Sequence, residues 1–276
     1  MSNSLEPLQP RLLLHADFNG DSIEDLVYHD TNTGAVIVKF LNASRQVTGQ
    51  KTVAILGNPD WEIMNVTDMD DDADGDILWR NKANGKLVEW VFDWDTLEGF
   101  RSWPTAKPEW EFCGTIEHEG PTAFDDQAML WRHKTDGRLV MWLMNGRQIG
   151  RTVQLPIEKN RNWTVAAISE VRDNAGGSID TEILWRNVAS GQNRIWTIRN
   201  GLLTQTKTLR AVGLAYRVAG WQYADETSGG RIVWQHLPTG DVTGWNLDLN
   251  YEIVSFFSLP TDPTPGRLLY AGGDTT

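Results

Sequence analysis

Two short stretches of this chain carry residues dense enough in hard oxygen donors to do chemistry. The first is Asp17-Phe18-Asn19-Gly20-Asp21-Ser22-Ile23-Glu24-Asp25, with oxygen-bearing side chains at relative positions 1, 3, 5 and 9. The second, Asp68-Met69-Asp70-Asp71-Asp72-Ala73-Asp74-Gly75-Asp76, places carboxylates at the same four positions. Alternating side chains in a tight loop converge on one point, and four or more mostly charged oxygen ligands suit Ca2+. The expected ligands are Asp17, Asn19, Asp21 and Asp25 in one loop and Asp68, Asp70, Asp72 and Asp76 in the other. All are local to one loop, so up to two ions of structural Ca2+ are expected. The competing reading is a solvated acidic loop.

A second set of residues could bind rather than react. Trp79-Arg80-Asn81, Trp131-Arg132-His133 and Trp185-Arg186-Asn187 repeat an aromatic platform beside hydrogen-bonding groups. Such groups suit a sugar, and repetition would make several weak sites act together. The same units also read structurally, because Trp and Arg on adjacent strand positions point to opposite faces and both faces can be packed. Trp94, Trp103 and Trp221 stand outside the repeating columns and are further ligand candidates.

Those units belong to a repeat, and searching for internal periods decides the fold. The column Tyr28, Trp79, Trp131, Trp185, Trp234 advances by 51, 52, 54 and 49 residues. A glycine column, Gly34, Gly85, Gly137, Gly191 and Gly240, follows each at six residues. An earlier column runs Arg11, Trp61, Trp110, Trp163, Tyr216. Each copy reads as four short strands, with Asn84-Gly85, Asp136-Gly137 and Ser190-Gly191 supplying the positive φ of tight hairpins. Four antiparallel strands in about 50 residues make one propeller blade. The expected fold is all-β, a single β-propeller domain over residues 1–276. Its five blades cover about 11–60, 61–109, 110–162, 163–215 and 216–265, with a partial sixth strand at 266–274. The chain has 14 Trp, and large flat Trp rings are expected to fill the wedges between blades.

The acidic loop is eroded in the later copies. Copy three offers Gly120, Thr122, Phe124 and Ala128, copy four Asn174, Gly176, Ser178 and Glu182, and copy five Tyr223, Asp225, Thr227 and Arg231. No metal is expected there.

The loop Asp17-x-Asn19-x-Asp21-x-x-x-Asp25 followed by a strand resembles the FG-GAP/VCBS repeat of integrin α-chain propellers and related bacterial and fungal propellers. The Leu-Trp-Arg-Asn…Gly…Trp…Met-Asn-Gly pattern resembles the Trp-rich bacterial version. The resemblance runs from about Arg11 to the end. It departs at Ser22 and Ala73, where Gly is usual, and in the eroded loops; members more often have six to eight blades. It implies adhesion or carbohydrate recognition, commonly outside the cell.

Composition excludes several classes. Lys+Arg is 25 against Asp+Glu 37, a net charge of −12, and no basic stripe offsets it, so nucleic acid is not an expected partner. Cys113 is the single cysteine, which leaves no disulfide framework and no cysteine zinc site. No stretch approaches the eighteen apolar residues of a membrane span. No Gly-x-Ser-x-Gly or phosphate loop appears, and the five His are scattered. The expected function is a non-catalytic binding module, carbohydrate recognition first and a protein-interaction scaffold second. A five-bladed glycoside hydrolase ranks last. The partner is a glycan or a protein, with homo-oligomerisation through an unpaired terminal strand as a further option. Met1 to Glu6 carry no basic or apolar leader, as a cytoplasmic chain would; the calcium-type loops favour an extracellular or cell-surface setting, because weak sites stand empty at cytosolic calcium.

Overall fold

A computed structural model describes residues 17–259 apart from 24, 31, 45, 68–71, 73, 120–124, 169–170, 175–177 and 223–229. The expected strand at Arg11, the partial sixth strand and Asp68 and Asp70 lie outside the described residues.

The hairpin turns and alternating apolar positions produce five antiparallel sheets in a ring. The first contains β1 (Leu26–Asp30), β2 (Ala35–Leu41) and β3 (Val47–Ile55). The second contains β4 (Trp61–Thr67), β5 (Asp76–Asn81), β6 (Leu87–Asp93) and β7 (Thr96–Trp103). The third runs β8 (Trp110–Glu119), β9 (Asp125–His133), β10 (Leu139–Asn145) and β11 (Gln148–Leu155). The fourth holds β12 (Trp163–Ile168), β13 (Val171–Asn174), β14 (Ser178–Asn187), β15 (Asn193–Arg199) and β16 (Leu202–Leu209). The fifth is β17 (Tyr216–Gln222), β18 (Arg231–His236), β19 (Val242–Leu247) and β20 (Ile253–Leu259). The molecule is a five-bladed β-propeller.

One element was not foreseen. β13 pairs antiparallel with an extension of β14 and parallel with the end of β8, stitching blades 3 and 4 together. It falls where the fourth copy has lost its acidic loop, so extended pairing replaces like-charge crowding. Every described inner strand also carries a register shift at one place: Ile63/Asn65, Phe112/Gly114, Val165/Ala167 and Val218/Gly220. A bulge repeated at one position bends each inner strand alike.

The core lies between blades. Phe18, Val36 and Val38 of blade 1 pack against Trp79, Trp90 and Phe92 of blade 2, and equivalent clusters fill the next seams. In blades 2 to 5 two tryptophans meet with centroids 4.9–5.1 Å apart and rings inclined by 47–60°: Trp79 with Trp90, Trp131 with Trp142, Trp185 with Trp196 and Trp234 with Trp245. In blade 1, Tyr28 and Lys39 take these places, the ammonium 4.6 Å from the ring centroid.

The glycine column has two causes. Its members sit at φ of 72–77°, which side-chain-bearing residues seldom adopt. A Cβ on Gly85 or Gly137 would also stand 2.0 Å from the carbonyl oxygen of Ala106 or Glu158 in the linker crossing beneath.

Candidate functional site

The repeated Trp-Arg-Asn/His unit is structural in all three residues. Trp79, Trp131 and Trp185 are at most 1% exposed. Each arginine follows its tryptophan onto the opposite face and reaches the neighbouring blade. Arg80 donates to the carbonyls of Ala106, Lys107 and Trp110, and its guanidinium lies 5.4 Å from the centroid of Trp131. Arg132 donates to Glu158, Asn160 and Trp163 and lies over Trp185. Arg186 donates to Gly191, Val212 and Gly213 and lies over Trp234. Burial holds all three guanidinium pKa values below the ordinary range. His29 is the blade 1 counterpart, its ring 5.0 Å from Trp79 and its Nε2 3.3 Å from the Leu56 carbonyl.

The third residue organises the hairpin. Asn81 Oδ1 accepts from the N–H groups of Ala83 and Asn84, and Asn187 Oδ1 from those of Ala189 and Ser190. His133 packs on Trp110 and pairs with Asp136. The sugar-contact reading of these nine residues is therefore corrected: strand alternation hands each side chain to a packed interface or a turn.

Two of the off-column tryptophans also pack into the core, Trp103 buried and Trp221 half-buried. Trp103 is 7% exposed, and its Nε1 donates to Glu89 Oε2 at 2.7 Å. Glu89, fully buried, holds Arg147 of blade 3 through both oxygens. Trp221 lies on inner strand β17 opposite Ile232 and packs against the core between blades 4 and 5.

Trp94 differs. It is 37% exposed and occupies the β6–β7 turn at φ 51°. Blades 3 and 4 fill the equivalent turn position with Gly146 (φ 53°) and Asn200 (φ 52°). A left-handed backbone is ordinary for Gly or Asn and strained for a bulky residue, at about 1 kcal/mol or more. Asp74 Oδ2 holds the turn by accepting the Trp94 N–H at 3.0 Å. The indole of blade 2 lies across Gly20 of the blade 1 acidic loop, with ring carbons 3.3–3.4 Å from where a Gly20 Cβ would stand. Gly75 N–H donates to the Asp17 carbonyl, joining the two acidic loops.

Within the first loop the donor atoms are all oxygen, as a hard cation requires, yet their present partners are backbone N–H groups. Asp17 accepts from Asn19, Gly20 and Ser22, Asn19 from Asp21, and Asp21 from Ile23. Asp25 turns inward: Oδ2 accepts from Phe18 and Oδ1 from Leu41 on β2. Asp76 accepts from Phe92 in the same way. The ninth-position carboxylate thus ties its loop to the third strand of its own blade. Among the described residues no three His, Cys, Asp or Glu side chains gather as a metal-ligand set. Asp25 spends both carboxylate oxygens on backbone N–H groups, with Asp17 and Asp21 close enough for their charges to act on it. Asp72 is exposed beside the described part of the second loop.

Burial lifts the Asp25 carboxyl to about 6, against the two N–H groups it accepts and with the charges of Asp17 and Asp21 acting in the same upward direction. The folded chain then binds this proton more tightly than the unfolded chain, whose group titrates near 3.8. The resulting stability is present below about pH 4 and lost as pH rises through 6. In metal-free buffer Asp25 is expected to remove roughly 2–3 kcal/mol between these limits. Urea midpoints at pH 4.5 and 7 for wild type and Asp25→Asn check this; the variant's pH slope should be shallower.

No family model matches this chain, and no curated protein does. Solved structures are similar only distantly. The Dos1 propeller aligns at 10% identity over 83% of this chain and 56% of its own, with a TM-score of 0.42. The periplasmic gluconolactonase PpgL of Pseudomonas aeruginosa aligns at 11% identity, over 88% and 67%, with a TM-score of 0.44. The β-propeller domain of Myceliophteria thermophila Cps50 (Swd1) aligns at 9% identity, over 87% and 72%, with a TM-score of 0.42. The chain spans little more than half the length of the first of these. Such distant likeness assigns no activity or ligand, and the propeller assignment rests on the five sheets themselves.

Proposed function

We propose that this propeller is a non-catalytic binding module that recognises carbohydrate at one site centred on Trp94. The observation that carries the reading is a partly exposed indole kept in a left-handed turn where sister blades use Gly146 and Asn200. One face of the indole rests on Gly20 while the rest stays open to solvent in a strained turn on a rigid base, an arrangement that suits a ligand-stacking surface. Apolar C–H faces of a sugar ring stack on such a surface. Asp21 and Asp93, next in sequence to Gly20 and Trp94, are exposed and can accept hydrogen bonds from hydroxyls. With the repeated Trp-Arg-Asn units buried, a single site replaces the several equivalent ones expected from sequence.

Ca2+ in the Asp17–Asp25 loop, and a second ion in the Asp68–Asp76 loop, form part of the same proposal, as does kinship with FG-GAP/VCBS propellers. The support is the oxygen-only donor set and its spacing. The ion would brace the loop on which Trp94 rests.

The experiment is a glycan array on the folded protein, with Ca2+ and again with EDTA, beside Trp94→Ala. Defined glycan binding lost in Trp94→Ala supports the site, and a lower melting temperature in EDTA supports the ion. Silence from a folded sample removes the carbohydrate reading and moves the choice to a basic protein partner, which the net charge of −12 would attract.

A further inference from the structure

Trp94 is one of two aromatic rings standing out along the same seam. Phe100 of β7 is 64% exposed, and sequence patterning does not single it out. It lies directly opposite Trp90, with ring centroids 5.7 Å apart at 73°. Trp90 and Phe92 belong to the cluster that faces blade 1, and directly opposed residues on paired strands share a face. Phe100 therefore projects toward blade 1, as Trp94 does over Gly20. The opposite wall is β3, from which Lys51 Nζ reaches Asp95 Oδ1 at 2.9 Å. Along the seam between β3 and β7 stand the partly exposed indole at the turn, the exposed phenyl farther along β7, and the Lys51–Asp95 pair that bridges the blades beside Trp94.

The spacing limits what can use both rings. Phe100 sits opposite Trp90, four residues along the chain from Trp94, about 13 Å at the rise of a strand. One sugar ring cannot touch both. Other seams lack the pair. The partners of Trp142 and Trp196 in blades 3 and 4 are Thr152 and Thr206, with Gly146 and Asn200 at the turns. In blade 5, Phe256 is exposed opposite Trp245, but the left-handed aromatic of that turn, Tyr251 at φ 60°, is buried in the core. In blade 1 the corresponding outer-strand residue is Gln50. Among the described residues, blade 2 alone carries an exposed aromatic at both positions.

We infer that the seam between blades 1 and 2 is an extended subsite groove for a linear oligosaccharide, with Trp94 and Phe100 as separate stacking platforms. This rests on the carbohydrate reading above and adds ligand length to it. Two separate exposed rings, with the Lys51–Asp95 pair crossing the seam beside the first of them, suit a chain that alternates apolar ring faces with hydroxyl edges. A protein-docking face would instead present one contiguous apolar patch. Lys51 donates to sugar hydroxyls and Asp95 accepts from them, both keeping their mutual bridge or exchanging it for the ligand.

The test is calorimetric titration of the full chain with fragments, one to six units long, of the glycan the array returns. Cello-oligosaccharides of the same lengths serve as a fixed reference series. Affinity for the array glycan should rise at least about tenfold from one unit to three or four and then level. Phe100→Ala should flatten that rise, so that affinity no longer grows with length. Trp94→Ala should weaken every length. Phe100 is largely exposed, so the variant is expected to melt as wild type does, which circular dichroism verifies. A length-independent affinity that still depends on Trp94, or a Phe100→Ala profile matching wild type, overturns the groove and leaves the single-platform reading intact. Absence of binding to any glycan or length overturns both.

Discussion

Arg132→Ala should cost the fold about 4 kcal/mol or more, read as a fall in the urea or guanidinium midpoint with an unchanged slope. Arg132 is 1% exposed and closes the seam between blades 3 and 4. Its guanidinium serves the carbonyls of Glu158, Asn160 and Trp163 while covering the face of Trp185. Truncation leaves those carbonyls short of donors, at about 1–3 kcal/mol for each buried group, and opens a cavity beneath an indole. For a chain of this size the expected drop in melting temperature is roughly 8–16 °C. Arg132→Lys restores one donor and one charge without the planar fork, so it should recover less than half. A loss under about 1 kcal/mol for Arg132→Ala would mean that the clamp is replaceable by water.

Gly137→Ala should be comparably damaging for a different reason. Gly137 lies at φ 74°, and its new Cβ would stand 2.0 Å from the Glu158 carbonyl oxygen and 2.8 Å from its carbon. Both clashing atoms are backbone, so no side chain can swing aside. Gly137 and Glu158 also hydrogen-bond through their main chains, so moving the linker forfeits that contact. Strain in the left-handed region adds about 1 kcal/mol, and the total should exceed about 3 kcal/mol. Gly57→Ala is the control. It has nothing within 4 Å of the added carbon and should melt close to wild type. Equal melting temperatures for the two variants would show that the linker yields easily.

Much of the fold was legible because repetition converts weak local signals into columns. Tyr28, Trp79, Trp131, Trp185 and Trp234 mark the second strand of each blade, and the glycines mark its hairpin. Alternation also tells that Arg80 and Trp79 part company. It does not tell what waits on the far side, since the neighbouring blade is a tertiary fact; hence arginines that could have met a ligand proved to be clamps. Asp25 and Asp76 were read as the ninth ligands of two loops. Their bonds to Leu41 and Phe92 join residues sixteen apart, and no local pattern announces such a staple. β13 arose from a stretch noted only for lost carboxylates. Trp94 was visible because it broke the columns, while Phe100 was hidden by its strand, where any aromatic reads as core. Comparing outer strands copy by copy would have exposed it, since its counterparts in blades 1, 3 and 4 are Gln50, Thr152 and Thr206.

The clamps all run one way around the molecule: His29 to Trp79, Arg80 to Trp131, Arg132 to Trp185 and Arg186 to Trp234. Among the described residues these four links share one hand and one height, each gripping the indole of the blade that follows. A blade linked in this way cannot tilt alone, because turning it drags the indole beyond it, so a push at one seam is passed to the next as a gear passes it to its neighbour.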